Sequence, residues 1–208
     1  MDTIDKLTEI FKEFPGIGER QARRFVYFLM SKNGSYVDNL LLLVKDLKNE
    51  IAQCPECFRF FISKDKSLPA GRQVCDICLN QHIDSAILMI VEKDSDLESI
   101  QKSRAYHGKY FVLGGLVPIV EKNTKTRVRV NELIGKIKKE EKGLKEIILA
   151  FSLNPQGDHT DLYIRNELQN ITENFEIKIS SLGRGLSTGT ELEYSDNDTI
   201  KNALKNRQ

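Results

Sequence analysis

No apolar run in this 208-residue chain approaches the ~18 residues that a membrane-spanning helix needs. Its first residues, MDTIDKLTEIFKEF, lack the basic stretch followed by an apolar one that marks a secretory leader, so a cytoplasmic protein with no membrane partner is expected. An excess of either charge is missing too: 31 Lys and Arg stand against 30 Asp and Glu, a formal net charge of +1. That balance argues against a uniformly basic nucleic-acid binder, and any such surface has to be local. Internal repeats and low-complexity segments are absent. Cysteine is scarce, with four residues, and in a cytoplasmic chain a few cysteines point to metal or redox chemistry before disulfides.

The four cysteines form two C-x-x-C pairs, Cys54-Pro55-Glu56-Cys57 and Cys75-Asp76-Ile77-Cys78, separated by seventeen residues. A C-x-x-C turn aims two thiolates at one point, and two such turns complete a tetrahedron around Zn²⁺. Redox-active pairs or unrelated core cysteines are the alternatives, and the spacing favours zinc. Four sulfur ligands leave no open position for water, so one structural ion per chain is expected, with no catalytic role. His82 reads as a surface residue beside a complete ligand set. The turn-rich ISKDKSLPAGRQV between the pairs is required only to bring them together.

Composition divides the rest. Residues 1–52 read as helical: Ile4, Leu7, Ile10 or Phe11 and Phe14 recur at helical spacing behind Asp2 and Thr3, and Ala22, Phe25, Val26 and Leu29 make a second stripe. Asn33-Gly34 is expected to stop that helix, and a third runs from about Asp38 through Leu40, Val44 and Leu47 to Ile51. From residue 83 strands and helices alternate. AILMIV, KYFVLGG, EIILAF and FEIKISSL are the strands; a helix with a Ser95–Glu98 capping box, one from Asn131 to about Lys142, and GDHTDLYIRNELQNI lie between them. Such alternation implies crossovers and a mostly parallel sheet, with sites beyond the carboxyl ends of its strands. A Gly-rich tail and a short helix close the chain.

Three features bear on chemistry. In FPGIGERQARRF, Gly16 and Gly18 form a turn ahead of a helix start carrying Arg20, Arg23 and Arg24. This is either a tight connection between packed helices or an anion site built from backbone amides and arginines. Glu92, Asp94, Asp96 and Asp158 fall at the carboxyl edge of the predicted sheet, where carboxylates can hold Mg²⁺ for phosphoryl chemistry or simply stabilise helix starts. The third strand is not followed by the D-x-D that a two-carboxylate catalyst wants, which favours a non-catalytic role. Gly114-Gly115 reads as a tight turn. In NTKTRVRV, Lys125, Arg127 and Arg129 alternate with Thr126, Val128 and Val130, so an extended chain places three cations on one face, either solvated or set against phosphates.

In this order the parts resemble the RecR family of bacterial recombination mediator proteins. The resemblance rests on FPGIGERQARRF, the CPEC and CDIC pairs, ILMIVEKDSDLESI through YHGKYFVLGGLVPI, and GLSTGTELEYSD. It spans nearly the whole chain. It implies an α+β multi-domain fold: a helix-hairpin-helix domain over 1–52, a four-cysteine zinc finger over 53–80, an α/β Toprim domain over 81–180 and a C-terminal segment over 181–208. It also implies a non-catalytic DNA-binding protein of recombinational repair that forms homodimers or homotetramers. Such proteins act with RecO, and in some members RecF, to load recombinase on single-stranded or gapped DNA. With the resemblance, the hairpin reads as a phosphate site made by Gly16, Gly18, Arg20, Arg23 and Arg24. Phosphate contacts carry no base information, so single-stranded, gapped and duplex DNA are all expected to bind without sequence preference.

The chain departs from the family in two places. SLPAGRQ between the cysteine pairs looks like an insertion. AFSLNPQGDHT replaces a more acidic family motif, so that only Gly157, Asp158 and Thr160 fit well. Glu92 and Asp96 match the family's Toprim acids, and whether Glu92, Asp96 and Asp158 meet Mg²⁺ or RecO is left open. Two other classes are a Mg-dependent Toprim enzyme that cuts DNA, against which the missing D-x-D argues, and a zinc-stabilised protein-only adaptor, against which the hairpin arginines argue.

Overall fold

Each of the first helices starts where its free amides find an acceptor or stand open. The computed structural model describes residues 1–63, 72–120, 128–183, 185, 186, 189 and 191–205. Helix α1 (Thr3–Lys12) begins at Asp2, whose carboxylate accepts from the Asp5 amide at 2.8 Å. Helix α2 (Glu19–Met30) begins at Gly18 and has no side-chain cap. Helix α3 (Gly34–Glu50) begins at Asn33, whose side chain accepts from the Tyr36 amide at 2.9 Å. Asn33 therefore starts a helix where a stop was expected, because its short amide is a better N-cap than terminator. Ser31 ends α2 instead, and α3 begins four residues ahead of Asp38.

By backbone contacts the chain forms two compact units, Met1–Ile51 and Ala52–Gln208. In the first, α1 packs on α2 through buried Thr8, Ala22 and Val26, with the Phe11 ring edge-on to Phe25 at 5.8 Å. Helix α3 buries none of its side chains, and Leu41, Leu42, Leu43, Val44 and Leu47 are all exposed.

The second unit is built on a parallel sheet, in order β4-β3-β5-β6: β3 (Asp84–Val91), β4 (Gly108–Val112), β5 (Glu146–Ala150) and β6 (Lys178–Ser181). Its crossovers contain α5 (Asp94–Ser103), α6 (Val130–Glu140) and α7 (Pro155–Asn174). Leu88, Ile90, Phe111, Ile147 and Leu149 form one core with Leu133 and Ile137 of α6 and Ile164 and Leu168 of α7. Met89, Val91, Tyr110 and Val112 form another with Leu97 of α5 and with Cys54, Cys57 and Cys75. Both faces of the central strands are covered, which explains why β3 reads as one apolar run with no alternation. Two short strands, β1 (Ile51–Gln53) and β2 (Phe60–Ile62), pair beside the first cysteines, and α4 (Asp76–Leu79) carries Cys78 with Cys75 at its N-cap. A 3-10 turn (Leu192–Tyr194) and α8 (Asn197–Lys205) lie in the C-terminal segment.

Two helix starts differ from expectation. Helix α5 begins at Asp94, and the Asp96 carboxylate accepts from the Lys93 amide at 3.3 Å; Ser95 and Glu98 do not cap it. Helix α7 begins at Pro155, two residues ahead of Gly157, because Asn154 accepts from the Gly157 amide at 2.8 Å and proline suits the first helical turn. The three positions of this segment that fit the family have separate physical reasons. A Cβ on Gly157 would overlap the Ser152 carbonyl oxygen. Thr160, fully buried, donates to the Gln156 carbonyl at 2.7 Å and accepts from the Val117 amide at 2.9 Å, pinning the loop after β4 to α7. Asp158 lies in the first turn of α7, where the helix dipole favours an anion.

The two glycines Gly157 and Gly135 should respond oppositely to alanine. Gly157→Ala must push the β5–α7 turn aside and is expected to cost about 2–3 kcal/mol. On α6 a Cβ at Gly135 meets nothing within 4 Å, so Gly135→Ala should stabilise by roughly 0.5–1 kcal/mol through helix propensity. Urea unfolding followed by circular dichroism checks both signs.

Candidate metal centre and nucleic-acid interface

The cysteine turns are shaped by their own backbone. In the first, the Phe58 amide donates to the Cys54 carbonyl and the Cys54 amide to the Arg59 carbonyl, both at 2.9 Å. Closing so tightly puts Phe58 in the left-handed region, at φ 61°. In the second, α4 carries Cys78 back over Cys75, with the Leu79 amide donating to the Cys75 carbonyl at 3.0 Å. An Arg59–Asp76 ion pair at 3.2 Å ties one turn to the other. The four thiols are unpaired, three of them are fully buried, and their sulfurs all lie within 4.8 Å of one another. A tetrahedron of Zn–S bonds spaces its sulfurs about 3.8 Å apart, and the Cys57–Cys75 separation is 3.6 Å. Hydrogen bonding from Cys57 draws the Cys54 thiol far below its ordinary range, while the same bond holds the Cys57 proton on. A donor set of this kind can hold a metal ion such as zinc, with every position filled by sulfur.

The cysteine turns are joined to the sheet through Arg129. Its guanidinium donates to the Val112 carbonyl at 3.0 Å and lies over the Phe58 ring, 5.4 Å from the centroid. Its backbone amide donates to the Leu113 carbonyl as α6 begins. Gly114, at φ +91°, makes room: a Cβ there would stand 2.7 Å from Arg129 Nη1. The Gly114-Gly115 pair thus serves a tight turn and the passage of an arginine. Arg129 does not project as part of an extended cationic face; cation–π contact and the carbonyl bond hold it inward. Lys125 and Arg127 lie outside the described residues. Charge alternation alone could not reveal this, since the partners, Phe58 and Val112, are remote in sequence.

In the hairpin, Gly16 has φ +76°, which favours glycine, and Ile17 donates to the Phe14 carbonyl at 3.0 Å across the turn. A Cβ built on Gly16 or Gly18 meets nothing within 4 Å. Close helix packing therefore does not explain the glycine at 18; among the described residues no side chain caps the first amides of α2 there. Arg20 and Arg24 are exposed on one face of α2, and Arg20 has no ion pair among the described residues. Arg24 makes one long bond to Gln21, at 3.4 Å. Arg23 is turned to other work, 3.7 Å from Asp5 of α1 and 3.9 Å from Glu19.

At the carboxyl edge of the sheet, the strand order reverses between β3 and β5, where ligands sit in open parallel sheets. That crevice is closed by a hydrogen bond from Ser152 Oγ to Glu92 Oε2 at 2.8 Å, and Lys93 Nζ lies 3.8 Å from the other carboxylate oxygen. Beside it, Asp161 holds Arg165 at 2.6 Å and accepts from Ser181 at 2.6 Å, and the space left among Leu149, Ser152 and Gly157 is about 10 Å³. Asp158 faces elsewhere, into a groove of about 470 Å³ shared with Asp196 and Lys201 of the C-terminal segment. Among the described residues, the cysteines are the one set of three or more potential ligands that converge within 4.8 Å; Glu92, Asp96 and Asp158 do not.

The Toprim domain model matches residues 87–182, and the model of the RecR C-terminal region matches residues 185–208. Among curated proteins, the chain is 32% identical to "Recombination protein RecR" of Amoebophilus asiaticus, over 98% of this chain and 94% of that protein. It is 30% identical to the protein of the same name from Lactobacillus helveticus, over 98% and 96%. With that of Dehalococcoides mccartyi it shares 31%, over 99% and 93%.

If Arg129 joins the cysteine turns to the sheet, Arg129→Ala should lower the stability of the second unit by about 2 kcal/mol, combining a charged hydrogen bond with a cation–π contact. Arg129→Lys should recover less than half, since an ammonium cannot bond the carbonyl and cover the ring with one plane. Thermal denaturation of the three proteins decides this, and an unchanged midpoint for Arg129→Ala would remove the arginine from that role.

Proposed function

Since the chain belongs to the RecR family of recombination proteins, we propose that it is a non-catalytic DNA-binding protein of recombinational repair, working in the cytoplasm. The observation that carries the DNA reading is the open N-terminus of α2. Among the described residues no side chain caps the first amides of α2 at Gly18, and Arg20 and Arg24 lie in the first turns beyond them. Backbone amides, a helix dipole and two arginines make a phosphate site, and phosphate contacts position a strand without reading it. Arg23 supports the same surface indirectly, by bracing α2 against α1.

The four-cysteine cluster holds one structural Zn²⁺ in this reading. The Toprim crevice acts as a recognition surface. Its first acid is engaged by Ser152 and Lys93, and a phosphoryl-transfer site needs carboxylates converging on Mg²⁺. RecO, and RecF in some members, are the partners that the family resemblance suggests. The uncovered apolar side of α3 supports self-association into a homodimer or homotetramer.

The DNA reading is tested by combining Arg20→Ala and Arg24→Ala. Affinity should fall alike for oligonucleotides of unrelated sequence, and the slope of log K against log salt should flatten by about 0.7–0.9 for each lost contact. A folded double variant with the parent's affinity and slope would return the turn to helix connection alone. For the metal, elemental analysis should find one zinc per chain after dialysis, since apparent binding energies at such sites are ~10–16 kcal/mol. Cys57→Ser should lose the ion and the order of the cysteine turns; zinc-free protein of normal stability would sink the assignment.

A further inference from the structure

A cavity of about 330 Å³ opens at the end of the sheet opposite the Toprim crevice, where Asp84 and Gly108 pair as β3 and β4 begin. Its floor is aromatic and aliphatic. Tyr106 and Tyr110 meet edge to face at 5.0 Å, and Ile77 and Ile83 line the sides. Its rim is cationic or hydrogen-bonding: Arg104, His82 and His107 are exposed there, and among the described residues none of these side chains has a hydrogen bond or an ion pair. One carboxylate reaches the rim, that of Asp76, and Arg59 already pairs with it at 3.2 Å.

Two further observations single this cavity out. Tyr110 is 3% exposed, yet its hydroxyl has no partner among the described residues, an uncommon state for a buried donor. Burial raises its pKa, so it stays protonated. Arg104 ends α5 in the left-handed conformation, at φ 56°, a place that glycine or asparagine ordinarily takes. An arginine held there is strained backbone bearing an unpaired charge at the mouth of a cavity.

A cationic rim above an aromatic floor suits a ligand with an anionic group attached to a flat ring, and the volume is at the small end of the range for ligand sites, about 300–1,000 Å³. The geometry points to a nucleotide subsite: Arg104, with His82 and His107, takes the phosphate, and the base seats against Tyr106 and Ile83, with Tyr110 packed behind them. Guanidinium binds phosphate as a fork, and every base has a face or edge to set on an aromatic ring. The nucleotide is either free or one residue of a bound strand; the second source rests on the DNA reading above, the first does not.

The test is photo-cross-linking with 5-iodouracil in two forms, as the free deoxyuridine monophosphate and within a single-stranded oligonucleotide, with adducts mapped by mass spectrometry on the full chain. Adducts are expected within residues 76–110, at Tyr106, His107 or Tyr110, and their yield should fall about tenfold in Arg104→Gln and in His107→Gln. Labelling in the oligonucleotide arm alone identifies the strand as the source, and labelling by the monophosphate identifies a free nucleotide. An oligonucleotide that binds and marks only the hairpin overturns the subsite and leaves the DNA reading standing. A cavity adduct from the monophosphate, in a protein that binds no oligonucleotide, does the reverse. No adduct within 76–110 in either arm, or a yield indifferent to Arg104→Gln in a variant of unchanged circular dichroism, overturns the subsite.

Discussion

Four sulfurs from two short turns cannot meet at one point unless the chain around them is held in register, and much of the second unit is measured from that meeting. The Cys57 carbonyl accepts from the Val112 amide at 2.8 Å, so the end of β4 is referenced to the first turn. The Phe60 amide donates to Asp94 at 2.7 Å, which references the start of α5 to it as well. Arg129 does the same for the start of α6, between Phe58 and Val112. A further seam runs through Lys136, buried on α6, which lies 3.1 Å from Glu140 and 3.8 Å from Glu56 of the first turn. The cysteine turns are thus one side of the sheet's core, sharing it with Met89, Val91 and Tyr110.

That arrangement separates the surfaces at which the second unit can meet other molecules. The crevice where the strand order reverses is occupied by the protein's own hydrogen bonds, among them Ser152 to Glu92 and Ser181 to Asp161. Preorganised, satisfied polar groups of this kind rigidify an edge. The opposite end of the sheet is different in kind, with Arg104, unpaired among the described residues, and two histidines lining a cavity with aromatic rings. One sheet therefore presents a closed polar end and an open amphipathic end.

Much of this was legible in the sequence. The two C-x-x-C pairs announced their own convergence, and the apolar runs at AILMIV and EIILAF announced buried parallel strands, because a strand covered on both faces has no polar alternation to confuse. What was not legible depended on partners distant along the chain. Arg129 looked like one of three alternating cations, and nothing local to it shows the Phe58 ring or the Val112 carbonyl. Glu92 read correctly as a strand-end acid, but its occupation by Ser152, sixty residues on, is a property of β3 and β5 lying side by side. At Asn33 the difficulty was local: the same side chain can end one helix or begin the next, and here the amide of Tyr36 decided it.

Helix α3 has a consequence beyond the surface it offers. Helices in folded proteins owe most of their stability to the face they bury, and α3, across seventeen residues, buries none of its side chains. A partner that covered α3 would add to its stability by mass action. Under such cover the melting of α3 would depend on the concentration of the partner as well as on sequence. The α1–α2 pair, which carries its own core of Ala22 and Val26, needs no such cover.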